Sequence, residues 1–132
     1  MLSIITFLPY KSYSESAAAL DDRTLYQQRL DVLRILSLKP DVPAARMWHN
    51  YEGALATYGI AMCMEWRRRG NGDTTLEKLE ELYNFDNTPP PWLGDERLHS
   101  SHRANLIKRD PRHYMITLGW NDDPKQPYYW PV

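Results

Sequence analysis

The sequence predicts a mainly α-helical fold: a single compact domain over residues 1–132 with an extended N-terminal arm and an irregular, aromatic C-terminal tail. Three observations support this prediction. A chain of 132 residues is long enough for one hydrophobic core and too short for two. Apolar residues recur every three or four positions, as they do in amphipathic helices. Prolines and glycines separate these periodic stretches, which is typical of short connections between helices.

The composition indicates a globular protein of the cytoplasm. Charged residues make up 25% of the chain and hydrophobic residues 42%, proportions typical of globular domains rather than disordered or membrane-spanning chains. The net charge of -1 argues against a protein that coats nucleic acid through its overall charge, although a local basic face stays possible. The single cysteine, Cys63, cannot form an internal disulfide, which fits a reducing compartment.

The N-terminal half predicts a buried arm and two helices. The first eight residues are apolar but lack the basic leader of a signal segment, so they predict a strand-like arm. Ser14 can cap a short helical turn that includes the three alanines at 17–19. A helix over about 22–38 is indicated by apolar residues at helical spacing, namely Leu25, Val32, Leu33 and Leu36. Two prolines, at 40 and 43, end this helix.

The rest of the chain predicts three further helices. The strongest amphipathic pattern runs from Ala44 to Arg69 and predicts one long central helix that ends at Gly70. Thr74, with Glu77 three residues later, is a capping-box pattern that opens a short helix with Leu76, Leu79, Leu82 and Tyr83. A last helix is expected over about 95–108, and the tail beyond Pro111 is expected to be irregular.

Arg29 and Asp31 are the first candidates for chemistry. Arg34 follows three residues later, so the carboxylate is flanked by arginines, which favour its ionised form. An ionised carboxylate can stabilise a developing cation or relay a proton. An ordinary solvated helix face would show the same pattern, and without further information we favour that interpretation.

A second set of candidates lies towards the C-terminus. His99 and His102 share one helix face at a spacing compatible with metal binding, but no third ligand is evident, so we expect a polar hydrogen-bonding cluster and no metal. The pairs His102-Arg103, Lys108-Arg109 and Arg112-His113 form a basic stretch that suits phosphate contacts, although a surface helix would have a similar composition. The motif Tyr128-Tyr-Trp-Pro131 could stack on bases or cap the core.

Eight segments, spread over nearly the whole chain, form a recognisable set. They are Thr6-Phe-Leu-Pro-Tyr10, Leu20-Asp-Asp-Arg-x-Leu-x-x-Gln-Arg-x-Asp31, Pro43-x-x-Arg-Met-Trp-x-x-Tyr-Glu-x-Ala-Leu55, Glu65-Trp-x-x-Arg-Gly70, Pro91-Trp-Leu-Gly-Asp95, His99-x-Ser-His102, Asp110-Pro-x-His-Tyr114 and Tyr129-Trp-Pro131. Together they resemble the small bacterial and phage proteins grouped with the pyrimidine-dimer DNA glycosylases.

The resemblance implies an enzyme of DNA repair that needs no cofactor. Such an enzyme cuts the glycosidic bond of a damaged pyrimidine and then, as an abasic-site (AP) lyase, breaks the strand. An N-terminal α-amine attacks the sugar C1′ to give an imine, and an acidic residue after an arginine supports the cation. By position, the amine falls on Met1 and the acid on Asp31, and Arg29 is expected to hold a phosphate near the abasic sugar. In the characterised phage enzyme the acid directly follows the arginine, whereas here Leu30 separates them.

The resemblance also implies double-stranded DNA as the partner, bound by a monomer. The side chains expected to contact phosphates are Arg46, Arg67, Arg68, His99, His102, Arg103 and Lys108. For Arg67 and Arg68, the favourable position of cations at a helix C-terminus explains their presence equally well. Because an enzyme must take the target nucleotide out of the stack, Trp48, Tyr129 or Trp130 is expected to provide a stacking surface.

Two other classes of function stay open. A non-catalytic DNA-binding or protein-interaction module on the same fold would bind duplex DNA in a salt-sensitive way and form no covalent intermediate. An enzyme acting on a modified base or nucleotide outside repair would need little affinity for duplex DNA. The near-neutral net charge is the only feature that supports this last alternative.

Overall fold

The computed structural model describes residues 4–82 and 86–131, and over these ranges the protein is helical without a β-strand. The mainly α class is therefore confirmed. The helices are α1 (Tyr13–Ala19), α2 (Asp22–Leu38), α3 (Pro43–Met47), α4 (Glu52–Arg68), α5 (Thr75–Leu82) and α6 (Glu96–Arg109), followed by a π-helix at Arg112–Thr117. In the described part of the chain, none of them is long and apolar enough to cross a bilayer.

The core forms where α1, α2 and α5 pack against α4. Val32 of α2, Leu55 and Met62 of α4, and Leu79 of α5 are fully buried there. Gly59 is the position of closest approach, because a Cβ atom placed on it would lie 2.7 Å from Cγ1 of Val32 and 2.8 Å from Cδ1 of Leu79. Only glycine therefore lets the three helices pack at this distance.

The N-terminal arm is extended and buried, as predicted, but it pairs with no strand. Side chains from α2 and α4 satisfy the backbone of Phe7 instead. The N–H of Phe7 donates to Oε1 of Gln28 at 2.7 Å, and its carbonyl accepts from the hydroxyl of Tyr58 at 2.7 Å. The indole N–H of Trp48 donates to Oγ1 of Thr6 at 2.9 Å. Because buried backbone groups need partners, these side chains fix the course of the arm.

The predicted single helix over 44–69 is wrong, because the structure divides it into α3 and α4. The chain turns at residues 48–51, where Asn50 adopts a left-handed conformation with φ of 70°. Asparagine tolerates this conformation better than most residues, and it ends the regular hydrogen-bond pattern there. The turn places Trp48 in the core against Trp92, with ring centroids 4.9 Å apart.

The structure also corrects two predicted helix caps. Ser12, not Ser14, caps α1, since its hydroxyl accepts from the N–H of Glu15. Asp73, not Thr74, caps α5, since its carboxylate accepts from the N–H groups of Thr75 and Leu76, each at 3.1 Å. The predicted helices over 22–38 and 95–108 are confirmed to within one residue. The expected contribution of Tyr83 to α5 lies outside the described residues.

Candidate functional site

Asp31 lies at the middle of α2, beside the start of the arm. Asp31 is 2% exposed. Its carboxylate accepts from Nε2 of Gln27 at 2.9 Å and from Nη1 of Arg34 at 3.3 Å. The backbone of Ile5 also hydrogen-bonds to it, and Arg109 of α6 is close enough to act electrostatically. Burial raises the pKa of Asp31 above its ordinary value, although these donors and cations oppose the shift. The predicted solvated helix face is therefore wrong here.

Asp31 is the centre of a row of side chains that we name the α2 ridge, with members four residues apart. The members are Arg23, Gln27, Asp31, Ile35 and Lys39. Residues four apart follow one another along an inclined ridge of a helix surface, turning by about 40° at each step, so Arg23 and Lys39 lie about 80° to either side of Asp31 and about 24 Å apart along the axis. Both ends of the α2 ridge are cationic, and neither Arg23 nor Lys39 has an ion-pair partner among the described residues.

A hollow lies at each end of the α2 ridge. The first, of about 430 Å³, is lined by Asp21, Arg23, Thr24, Arg109 and Asp110, where α2 begins and α6 ends. The second, of about 640 Å³, lies where α2 meets α3, and Ile35, Lys39, Arg46 and His49 are among its lining residues. The buried carboxylate therefore stands between two hollows, each of which is lined by two cations and two carboxylates.

Arg29 does not share this site. Two residues along a helix correspond to a rotation of about 200°, so Arg29 and Asp31 lie on opposite sides of α2. The guanidinium of Arg29 is buried, forms an ion pair with Asp73 and lies 5.0 Å from the ring centroids of both Tyr26 and Trp66. Burial would raise the pKa of Asp73, but hydrogen bonds from Thr75 and Leu76 and the charge of Arg29 hold it below its ordinary value. We assign Arg29 to the packing of α2 against α5.

His99 and His102 hold the arm. The N–H of Gly94 donates to Nε2 of His99 at 3.0 Å, so the proton of His99 lies on Nδ1, which donates to the carbonyl of Leu8 at 2.8 Å. Nδ1 of His102 accepts from the N–H of Leu8 at 2.9 Å. Burial lowers the pKa of His102 to about 3, so the ring is neutral. The expected contact of these two histidines with phosphates is therefore replaced by hydrogen bonds to the backbone N–H and carbonyl of one residue, Leu8.

The other predicted phosphate contacts divide into two groups. Arg46 and Lys108 are exposed, and Arg46 lines the larger hollow beside an exposed ion pair with Asp41. The other three arginines neutralise carboxylates of the protein. Arg67 pairs with Asp73 and Glu77, Arg68 with Glu65, and Arg103 with Glu96 and Asp122. Arg103 also donates to the carbonyl of Pro9 at 2.7 Å, so it fixes the end of the arm.

The predicted stacking residues are not equally placed. Trp48 is 1% exposed and belongs to the core, so it offers no surface to a base. Tyr129 is half-buried, with the guanidinium of Arg97 4.6 Å from its ring centroid. Trp130 is half-buried beside Tyr128, 5.2 Å away between centroids. The aromatic tail therefore packs largely against the protein.

The sequence pattern singles out two of the four cations around the hollows, Arg46 and Arg109, but neither Arg23 nor Lys39. Four-residue spacing from Asp31 places Arg23 and Lys39 on the same inclined ridge of α2, which is a signal that could have found them. Arg109 comes from α6, so its position beside α2 depends on the fold. Met1 lies outside the described residues. Among those that the structure describes, no group of three or more His, Cys, Asp or Glu side chains could hold a metal ion.

The fold and the site define a helical protein with a buried carboxylate between two hollows, each of which is lined by two cations and two carboxylates. The family described as pyrimidine dimer DNA glycosylase matches residues 4–86. This match covers more than half of the chain and includes the arm, the α2 ridge and the larger hollow, and the protein belongs to this family. No curated protein and no solved structure matches the chain.

Proposed function

We propose that the protein is a DNA glycosylase with AP-lyase activity that acts on damaged or modified pyrimidines in duplex DNA. The observation that carries this proposal is the position of Asp31, a buried carboxylate at the start of the arm in a protein of this family. An N-terminal α-amine would attack C1′ of the target nucleotide as the glycosidic bond to the pyrimidine breaks. The resulting imine would then permit elimination of the 3′ phosphate.

Asp31 suits the support of this reaction. Its contact with Ile5 ties it to the arm, and a residue four positions before Ile5 lies within roughly 14 Å of it in any conformation. The carboxylate would stabilise the cationic sugar and the protonated imine. Burial strengthens this interaction, because the effective dielectric constant is lower than in water. An α-amine with an ordinary pKa of about 8 has an appreciable neutral, nucleophilic fraction at pH 7.

The cationic ends of the α2 ridge suit the binding of duplex DNA, whereas Asp31 and Ile35 between them are buried. The ridge's length of about 24 Å corresponds to roughly seven base pairs along the duplex axis. Arg23 and Lys39 at its ends, with Arg109 and Arg46 in the adjoining hollows, would contact phosphates on either side of the target. Arg34, which reaches Asp31, would assist at the centre.

The experiment that tests catalysis is cleavage of a duplex carrying one cyclobutane pyrimidine dimer, with base release and strand breakage measured separately. Asp31→Asn is nearly isosteric and should lower single-turnover cleavage at least 100-fold, a typical effect of removing a positioned catalytic carboxylate, while binding is retained. Asp123→Asn, at an exposed carboxylate away from both hollows, is the matched control. Unchanged cleavage by Asp31→Asn would contradict the proposal.

A binding experiment tests the surface. Each phosphate neutralised by a cation contributes about 0.9 to the slope of log affinity against log salt concentration. The double variant Arg23→Ala/Lys39→Ala should therefore lower the slope by about 2. Arg67→Ala/Arg68→Ala, which removes cations already paired with carboxylates, should lower it by less than 1. Equal effects would show that the α2 ridge is not the DNA-binding surface.

A further inference from the structure

The π-helix carries an exposed apolar surface that the proposed function does not use. Met115, Ile116 and Leu118 are all exposed, and Ile116 is 80% exposed. We name these three side chains the knuckle. Large apolar side chains scattered singly on a surface need no explanation, but three within four residues form a patch. π-helical turns are rare and occur frequently at functional sites.

The knuckle has a rigid base. Tyr114, next to Met115, is fully buried, and its hydroxyl donates to the carboxylate of Asp21 at 2.5 Å. Its ring stacks on Trp120, with centroids 4.9 Å apart and planes 20° apart. The ring nitrogen Nε2 of His113 bonds to the carbonyl of Ala19 at 2.8 Å. The knuckle is therefore fixed to the segment that leads into α2, so its exposed side chains have a defined position.

Cations lie at the base of the knuckle and beside it in the sequence. Its fixed base meets α2 at Asp21, which lines the smaller hollow together with Arg23 and Arg109. The segment 108–113 holds three cations, Lys108, Arg109 and Arg112, against one carboxylate. Neither Lys108 nor Arg112 has a hydrogen-bond or ion-pair partner among the described residues. The patch thus joins an apolar tip to a positive border at one end of the α2 ridge.

We propose that the knuckle is a wedge that enters the base stack of duplex DNA held on the α2 ridge, with Ile116 as the leading side chain. Proteins that kink duplex DNA insert apolar side chains between base steps while neighbouring cations contact the phosphates. The proposal rests on the proposed function, since it needs duplex DNA at this surface. Insertion would open the base stack of the bound duplex, which helps the target nucleotide to leave it.

A second copy of the chain fits the patch less well. A stable protein interface buries about 800 Å² on each partner, far more than three side chains supply. The unpaired cations around the knuckle would also repel the same cations of a second copy related by symmetry. Phosphates, in contrast, complement the charge of this border.

The test uses the full chain and a duplex of about 25 base pairs with 2-aminopurine beside a cyclobutane dimer, because fluorescence of this base rises when it is unstacked. The wild-type protein should raise the fluorescence. Ile116→Ser should lose most of the rise and bind roughly tenfold more weakly, equivalent to ~1.4 kcal/mol of lost contact. Ile116→Leu should restore both. Leu38→Ser, at a side chain 73% exposed at the other end of α2, is the matched control.

The outcomes separate the wedge from the proposed function. If Ile116→Ser distorts the duplex as the wild type does, the wedge is refuted and the glycosylase proposal stands. If the wild-type protein binds no duplex, both are refuted. If Ile116→Ser instead dissociates a dimer detected by sedimentation, the knuckle is a contact between copies of the chain, which also refutes the wedge.

Discussion

Asp73 is the residue whose removal should most destabilise the protein without touching the proposed site. Its side chain is fully buried, pairs with the buried guanidinium of Arg29 and caps α5 through two backbone N–H groups. Removing one partner of a buried ion pair costs about 3–5 kcal/mol, because the other charge stays buried and unpaired. Loss of a helix cap adds about 1 kcal/mol. We therefore expect Asp73→Ala to lower the free energy of unfolding by about 4–6 kcal/mol.

Urea unfolding followed by circular dichroism measures this change. With a slope of about 2 kcal/mol per molar urea, the midpoint should fall by about 2–3 M. Asp73→Asn keeps the capping oxygen and should fall between Asp73→Ala and the wild type. Asp41→Ala removes an exposed ion pair with Arg46 and should lower the free energy of unfolding by at most about 1 kcal/mol. If Asp73→Ala costs no more than Asp41→Ala, Arg29 is not held by burial and becomes available for phosphate again.

Two further predictions concern the core and the arm. Gly59→Ala should destabilise the protein by about 1–3 kcal/mol, because its Cβ would overlap Val32 and Leu79, whereas Gly72→Ala, with open space around it, should be nearly neutral in the same thermal unfolding assay. His102 has a pKa of about 3 in the folded protein against an ordinary value of 6.5, so its contribution to stability is complete above pH 6.5 and is lost as the pH falls towards 3. His102→Gln should flatten the fall of unfolding free energy across that range, and an unchanged fall would show that His102 does not titrate as a buried group.

The sequence was sufficient for the helices that have strong local signals. α2 and α6 were predicted closely, because apolar spacing and flanking prolines or an acidic cap mark their ends. The break between α3 and α4 was missed, because both helices continue one apolar pattern and only Asn50 signals the turn. The π-helix was missed because the proline before it and the exposed Ile116 within it are typical of irregular chain.

The site was only partly predictable, since two of its features depend on tertiary contacts. Asp31 was selected from its arginine neighbours, but its burial follows from the arm that lies against α2. Arg29, two residues away, has a similar local sequence and a different environment, because Asp73, which caps α5, pairs with it on the opposite side of α2. The spacing of His99 and His102 was correctly recognised as a shared face, yet what that face holds, the peptide of Leu8, lies more than 90 residues earlier.

The proposed reaction depends on the attack of an α-amine of this protein on the sugar, with the support of Asp31. Borohydride trapping on a duplex with a cyclobutane dimer or an abasic site, followed by mass spectrometry of the N-terminal peptide, tests it most directly. We expect a covalent adduct on the terminal amine, greatly reduced for Asp31→Asn and unchanged for Asp123→Asn. Duplex binding with neither an adduct nor strand cleavage would contradict the account and favour a DNA-binding module on the same fold.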